Sequence, residues 1–148
     1  MNVMILGAAG DIGRHLLEHY LAKPEVQCIF ATHHREVSSI CSSVRWLTVD
    51  MADPDSIENQ AAAIDVPIHR WICCTGLLAG PHGQPEKTLR RLASNKLQHD
   101  YAVNAVGPLT LFAQLARQLR SDDLRAVFLS AQVGSIEDNR LGGWYGYR

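Results

Sequence analysis

The chain has 148 residues and a formal net charge of −1, with 47% hydrophobic and 20% charged residues. That balance gives one compact domain with enough apolar surface for a core, and no broad basic field for nucleic acid or an anionic membrane. No apolar run approaches a membrane span, and Met1-Asn2-Val3 leads into a strand rather than a signal peptide, so the expected location is cytoplasmic.

The first predicted elements are the most informative. A strand over Asn2–Leu6 runs into Gly7-Ala8-Ala9-Gly10-Asp11-Ile12-Gly13 and then a helix over Asp11–Ala22, with Ile12, Leu16, Leu17 and Tyr20 on its apolar face. Glycine lets the backbone turn sharply at Gly7, come close to a ligand at Gly10, and seat the helix on the strand at Gly13. The unpaired N–H groups and positive dipole of the helix start suit an anion. Gly7, Ala9, Gly10, Asp11, Ile12 and Gly13 are therefore the expected site for a dinucleotide pyrophosphate, although such a glycine string alone is weak evidence.

The second strand, Val26–Ala31, should end where cofactors are told apart. NAD-binding folds place a carboxylate there for the ribose 2′-OH. This chain has Thr32-His33-His34-Arg35, in which Arg35, helped by Thr32 and His33, suits a 2′-phosphate and favours NADP, while Glu36 argues for NAD.

A strand over Val44–Val49 follows, and Asp53-Pro54-Asp55 supplies an N-cap oxygen and a first-turn proline for a helix over Asp55–Ala63. Further on come a strand at Arg70–Thr75, a short helix around Glu86–Leu92, a long helix over Lys96–Leu119 and a strand at Arg125–Ser130. Lys87, Arg90 and Arg91 read as a solvated helix face. Alternating strands and helices, with strands apolar on both faces, predict a three-layer, Rossmann-like, doubly wound parallel α/β sheet in the order 3-2-1-4-5. Its ligand crevice should lie at the carboxyl ends of strands one and four.

Cys28, Cys73 and Cys74 lie in apolar runs and read as small hydrophobes or walls of a cofactor site. They and Cys41 lack metal-ligand spacing, and the seven histidines are scattered, so no metal is expected.

Taken in order, these motifs resemble the short-chain dehydrogenases/reductases. The resemblance rests on the glycine turn, Asp50-Met51, Cys73-Cys74-Thr75-Gly76 where that family often has Asn-Asn-Ala-Gly, and Asn104 in Val103-Asn104-Ala105-Val106-Gly107. The ending, from Ser130-Ala131-Gln132 through Asn139-Arg140-Leu141-Gly142-Gly143-Trp144-Tyr145-Gly146-Tyr147-Arg148, is similar to the C-factor branch. The resemblance implies that Asp50 contacts the adenine, Met51 packs against it, and Thr75, Gly76 and Leu77 border the ribose beside the nicotinamide. Asp50 as a turn cap with Asp53, and Gly76 as an ordinary strand-ending glycine, stay open.

It also implies hydride transfer between NADP(H) and a small carbonyl or alcohol substrate, with Tyr147 as general acid or base and Asn104 ordering a relay water. A helix–loop hydrogen bond is the alternative for Asn104. The lysine of the family's Y-x-x-x-K pattern would fall beyond Arg148. This suggests a C-terminally truncated chain, lacking the last strands of the sheet and inactive when assayed alone. The family's carbonyl-polarising serine falls at Ala131; adjacent strand residues face opposite ways, so Ser135 after Gly134 is favoured over Ser130. A noncatalytic nucleotide-binding or cell-to-cell signalling protein is the alternative function. Self-association into a homo-oligomer stays open.

Overall fold

The computed structural model describes residues 1–34, 42–120 and 122–148. Arg35, Glu36 and Cys41, singled out in the sequence, lie outside them. The strands are β1 (Asn2–Leu6), β2 (Cys28–His33), β3 (Val44–Thr48), β4 (Arg70–Cys73) and β5 (Arg125–Phe128). The α-helices are α1 (Asp11–Leu21), α2 (Pro54–Ala61), α3 (Ser94–Tyr101) and α4 (Gly107–Gln114).

The five strands form one parallel sheet in the order β3-β2-β1-β4-β5, as the alternation of elements predicts. Side chains of a strand alternate between faces, and β1 feeds both layers. Met4 and Leu6 join Phe30, Trp71, Ile57 and Leu111 in the core covered by α2 and α4. Val3 and Ile5 join Ile29, Ala31 and Leu17 in the core covered by α1. Full burial of β1 on both faces explains why its sequence is a continuous apolar run.

Local chemistry sets the helix starts. Asp53 caps α2, its Oδ1 accepting from the Asp55 N–H at 3.0 Å, with Pro54 in the first turn where its missing N–H is harmless. Gly107 opens α4 against the backbone of Met51, where any Cβ would overlap the Met51 carbonyl oxygen.

Several predicted boundaries are corrected. The long helix is two α-helices joined by a π-helical segment, Ala102–Val106, and residues 115–119 continue as turns. The short helix around Glu86–Leu92 is a single 3-10 turn, Leu89–Arg91. Glu86 cannot start a helix there because its carbonyl accepts from the distant Trp144 N–H at 2.6 Å. Ile12 does not share the buried face of α1: it is 60% exposed, at the crevice end of the helix. Among the described residues, no helix is long and apolar enough to cross a membrane.

Candidate active site

The glycine turn is built from both ends. Gly7 has φ +72°, a conformation that favours glycine. Its N–H donates to the Thr32 hydroxyl at 2.9 Å, and the next N–H, of Ala8, donates to the Thr32 carbonyl at 2.9 Å. At Gly13 a Cβ would overlap the Gly7 carbonyl, so the helix reaches this close to the strand only with glycine. Gly10 differs. Its φ is −76°, and a Cβ there would meet nothing nearer than the Gly7 oxygen at 3.4 Å. The fold has no steric need for glycine at this exposed position, and the N-terminus of α1 carries no side-chain cap. The open space above Gly10 and the helix N–H groups fits an anion that approaches the backbone closely.

Thr32 and His33 are both engaged within the fold. Thr32 is 2% exposed and its hydroxyl is engaged by Gly7, so it shapes the turn. His33 is buried edge-on to Trp46, with Nε2 3.1 Å from the Thr48 hydroxyl. His34 is exposed. After β3, Asp50 Oδ1 accepts from the Ala52 N–H at 2.8 Å and its carbonyl from the Asp53 N–H, which is the turn role left open in the sequence. Met51 is buried in the α2/α4 core.

Beyond β4 the chain runs through Cys74, Thr75 and Gly76 along the crevice. The Thr75 hydroxyl is buried and completes no hydrogen bond of its own, and a Cβ on the exposed Gly76 would meet nothing. Burial, reinforced by the neighbouring Cys73, pushes the Cys74 thiol up to about 11. Asn104, in the π-helical segment, holds this loop with both amide atoms: Oδ1 accepts from the Leu77 N–H at 2.6 Å, and Nδ2 donates to the Leu77 carbonyl at 3.0 Å. Its side chain is therefore a helix–loop tie.

These residues open into a cleft of about 820 Å³ whose lining includes Ile12, Thr75, Asn104, Ser130, Tyr145 and Tyr147. Tyr147 and the glycine turn thus lie at one end of the sheet, at the carboxyl ends of β1 and β4. The two candidate serines are placed differently. β5 ends at Phe128, two residues earlier than expected, so strict alternation no longer applies at Ser130, and both Ser130 and Ala131 line the cleft. Ser135 does not; its hydroxyl instead accepts from the Asp138 N–H at 3.3 Å.

Sequence reasoning missed one feature. Glu86, Lys96 and Asp100 are 3%, 4% and 2% exposed and form a buried ion group next to the segment that carries Tyr147. The i,i+4 spacing of Lys96 and Asp100 was a usable signal; nothing local marked Glu86. Among the described residues, no group of three His, Cys, Asp or Glu side chains is arranged to hold a metal ion.

No family model and no curated protein matches the chain in sequence. Solved structures do match its fold. An NADPH-bound carbonyl reductase from chicken fatty liver superposes with a TM-score of 0.81 at 21% identity, covering 99% of this chain and 64% of that one. The carbonyl reductase Sniffer of D. melanogaster gives 0.80 at 21% identity, over 99% and 68%. A short chain dehydrogenase family protein from Francisella tularensis subsp. tularensis SCHU S4 gives 0.79 at 15% identity, over 98% and 56%. This chain thus spans between about half and two thirds of the length of these solved chains. Strand order, the glycine turn beneath an uncapped helix start and these superpositions together establish that the chain has the fold of the short-chain dehydrogenases/reductases.

Proposed function

We propose that this chain is the cofactor-binding portion of an NADP-dependent oxidoreductase acting on small carbonyl or alcohol substrates. The observation that carries this reading is one cleft shared by two unlike features. One side is lined by Ile12, in the first turn of an uncapped helix that follows Gly10, a glycine the fold itself does not require; the other side is lined by Tyr147. Likeness in fold to an NADPH-bound carbonyl reductase supports the same reading.

When bound, the dinucleotide supplies or accepts the hydride. The chain's own residues do the rest. The α1 N-terminus and the Gly7–Gly13 turn hold the pyrophosphate. Ser130 donates a hydrogen bond to the substrate oxygen, and Tyr147 gives that oxygen its proton in reduction or removes it in oxidation. Asn104 keeps the Leu77 loop in place as the cleft wall. Arg35, after the end of β2, is the residue proposed to bind a 2′-phosphate.

Titration of the chain with NADPH and NADH, followed through Trp46, Trp71 and Trp144 fluorescence, tests the cofactor assignment. NADPH should bind at least tenfold tighter, and Arg35→Asp should abolish or reverse the preference. Equal affinities would remove the role of Arg35, and no binding of either cofactor would overturn the reading. NADPH oxidation by the whole protein with a panel of small aldehydes and ketones tests the reaction.

A further inference from the structure

The Glu86, Lys96 and Asp100 charges take no part in the chemistry proposed above, yet all three are buried. Lys96 and Asp100 lie one turn apart on α3 and pair directly through Nζ and Oδ2. Lys96 Nζ is also 3.5 Å from Glu86 Oε1, and neither Glu86 carboxylate oxygen completes a full hydrogen bond. Burial works against the Lys96 ammonium, but the hydrogen bond and charge of Asp100 and the charge of Glu86 outweigh it and hold the lysine above its ordinary range. Burial likewise works against the Glu86 carboxylate, but its own N–H, the Lys96 charge and the Gly146 N–H hold it below the usual carboxylate range. Such a group is a poor source of stability, because desolvation of the ions offsets their attraction; fixing a register is its best-attested use.

What lies against the ion group is the end of the cleft. The Trp144 N–H donates to the Glu86 carbonyl at 2.6 Å. A Cβ on Gly146 would stand 2.5 Å from Asp100 Oδ2, and one on Gly143 would stand 3.0 Å from the Glu86 carbonyl oxygen, so both contacts are backbone-close. Gly142, Gly143 and Trp144 have successive left-handed φ values of +63°, +72° and +52°, the last in a residue that adopts this conformation only when its surroundings impose it. At the far end, Arg148 donates from Nε to the Gly143 carbonyl at 2.7 Å, from Nη2 to the Gly142 carbonyl at 3.0 Å, and from Nη1 to the Val133 carbonyl. Tyr147 sits between these two fixtures.

We propose that the buried Glu86–Lys96–Asp100 group is a positioning device: it anchors the Gly142–Arg148 segment on α3 and so fixes the Tyr147 phenol in the cleft. The inference rests on Tyr147 as the proton-transfer group, but the anchoring itself is testable without turnover. Lys96→Met removes the central charge. Gly146→Ala leaves all three charges and wedges a methyl group between the segment and Asp100.

Hydrogen exchange on the full chain should show the Trp144 and Arg148 amides exchanging at least tenfold faster in both variants, with the β1 amides still protected. Where Lys96→Met fails to fold, Gly146→Ala decides alone; unchanged protection of Trp144 and Arg148 in it overturns the proposal. In the turnover assay, Gly146→Ala should lower kcat at least tenfold with the NADPH Kd unchanged, a split that general loss of structure would not give. A loosened segment with wild-type kcat overturns the positioning role. A wild-type chain that binds neither NADPH nor NADH overturns the functional reading instead, and the exchange result then judges the anchoring by itself.

Discussion

Asn104 and Leu77 hold each other through two hydrogen bonds, the Leu77 N–H to Asn104 Oδ1 at 2.6 Å and Asn104 Nδ2 to the Leu77 carbonyl at 3.0 Å. One side chain therefore satisfies both backbone groups of a loop residue 27 positions away, and ties the π-helical segment to the cleft wall. Replacing it with leucine leaves a donor and an acceptor without partners. Asn104→Leu should destabilise the chain by about 1–3 kcal/mol, read from urea unfolding, and speed exchange at the Leu77 amide. An unchanged unfolding midpoint would show that water replaces the tie.

The glycines of the first turn should separate by experiment. At Gly13 an added methyl group overlaps backbone atoms of Gly7 and Ala8, which cannot swing aside. Gly13→Ala should cost about 1–3 kcal/mol or more in stability. At Gly10 the added methyl group meets only the Gly7 oxygen, at ordinary contact distance. Gly10→Ala should stay within about 0.5 kcal/mol of wild type, yet weaken NADPH binding at least tenfold. Equal losses of stability in the two variants would contradict this division.

The two serines should also part company. Ser130 lines the cleft with Tyr147, whereas the Ser135 hydroxyl is engaged by the Asp138 N–H. In the carbonyl-reduction assay, Ser130→Ala should lower kcat by about 10²- to 10³-fold, the usual effect of losing one donor to a developing oxyanion. Ser135→Ala should change it less than threefold. Tyr147→Phe should nearly abolish turnover while NADPH binds as before, because the glycine turn proposed to hold the pyrophosphate does not involve the phenol. A Ser135→Ala variant with the larger defect would restore the assignment made from the sequence.

Cys74 offers a test by pH. Burial and the adjacent Cys73 push its thiol up to about 11, so it is neutral at physiological pH although it lines the cleft. The thiolate fraction at pH 8 should be about a hundredfold below that of an ordinary exposed cysteine. Iodoacetamide alkylation of Cys74, followed by mass spectrometry, should therefore be slow at pH 8 and still be accelerating above pH 10. NADPH should slow it further by filling the cleft. Rapid alkylation at pH 8 would place the thiol in a more polar setting than the one described.

The sequence by itself determined the sheet and the turn. Continuous apolar runs such as Val3–Leu6 require burial on both faces, and Gly7 and Gly13 answer to local demands, a positive φ and a close helix approach, that any reader of the chain can apply. Asp53-Pro54 likewise fixed the start of α2 through neighbours one and two residues away. Tertiary structure decided how polar side chains were used, because their partners come from distant segments. Thr32 looked available for a phosphate until Gly7, 25 residues earlier, took its hydroxyl. Ser130 gained the cleft because β5 stopped at Phe128, where its pairing with β4 ran out. Glu86 was drawn inward by Lys96 and Trp144, which it meets only after the chain has folded back on α3. Periodicity and backbone conformation are encoded over a few residues, whereas burial and hydrogen-bond partnership are settled between segments far apart in the chain.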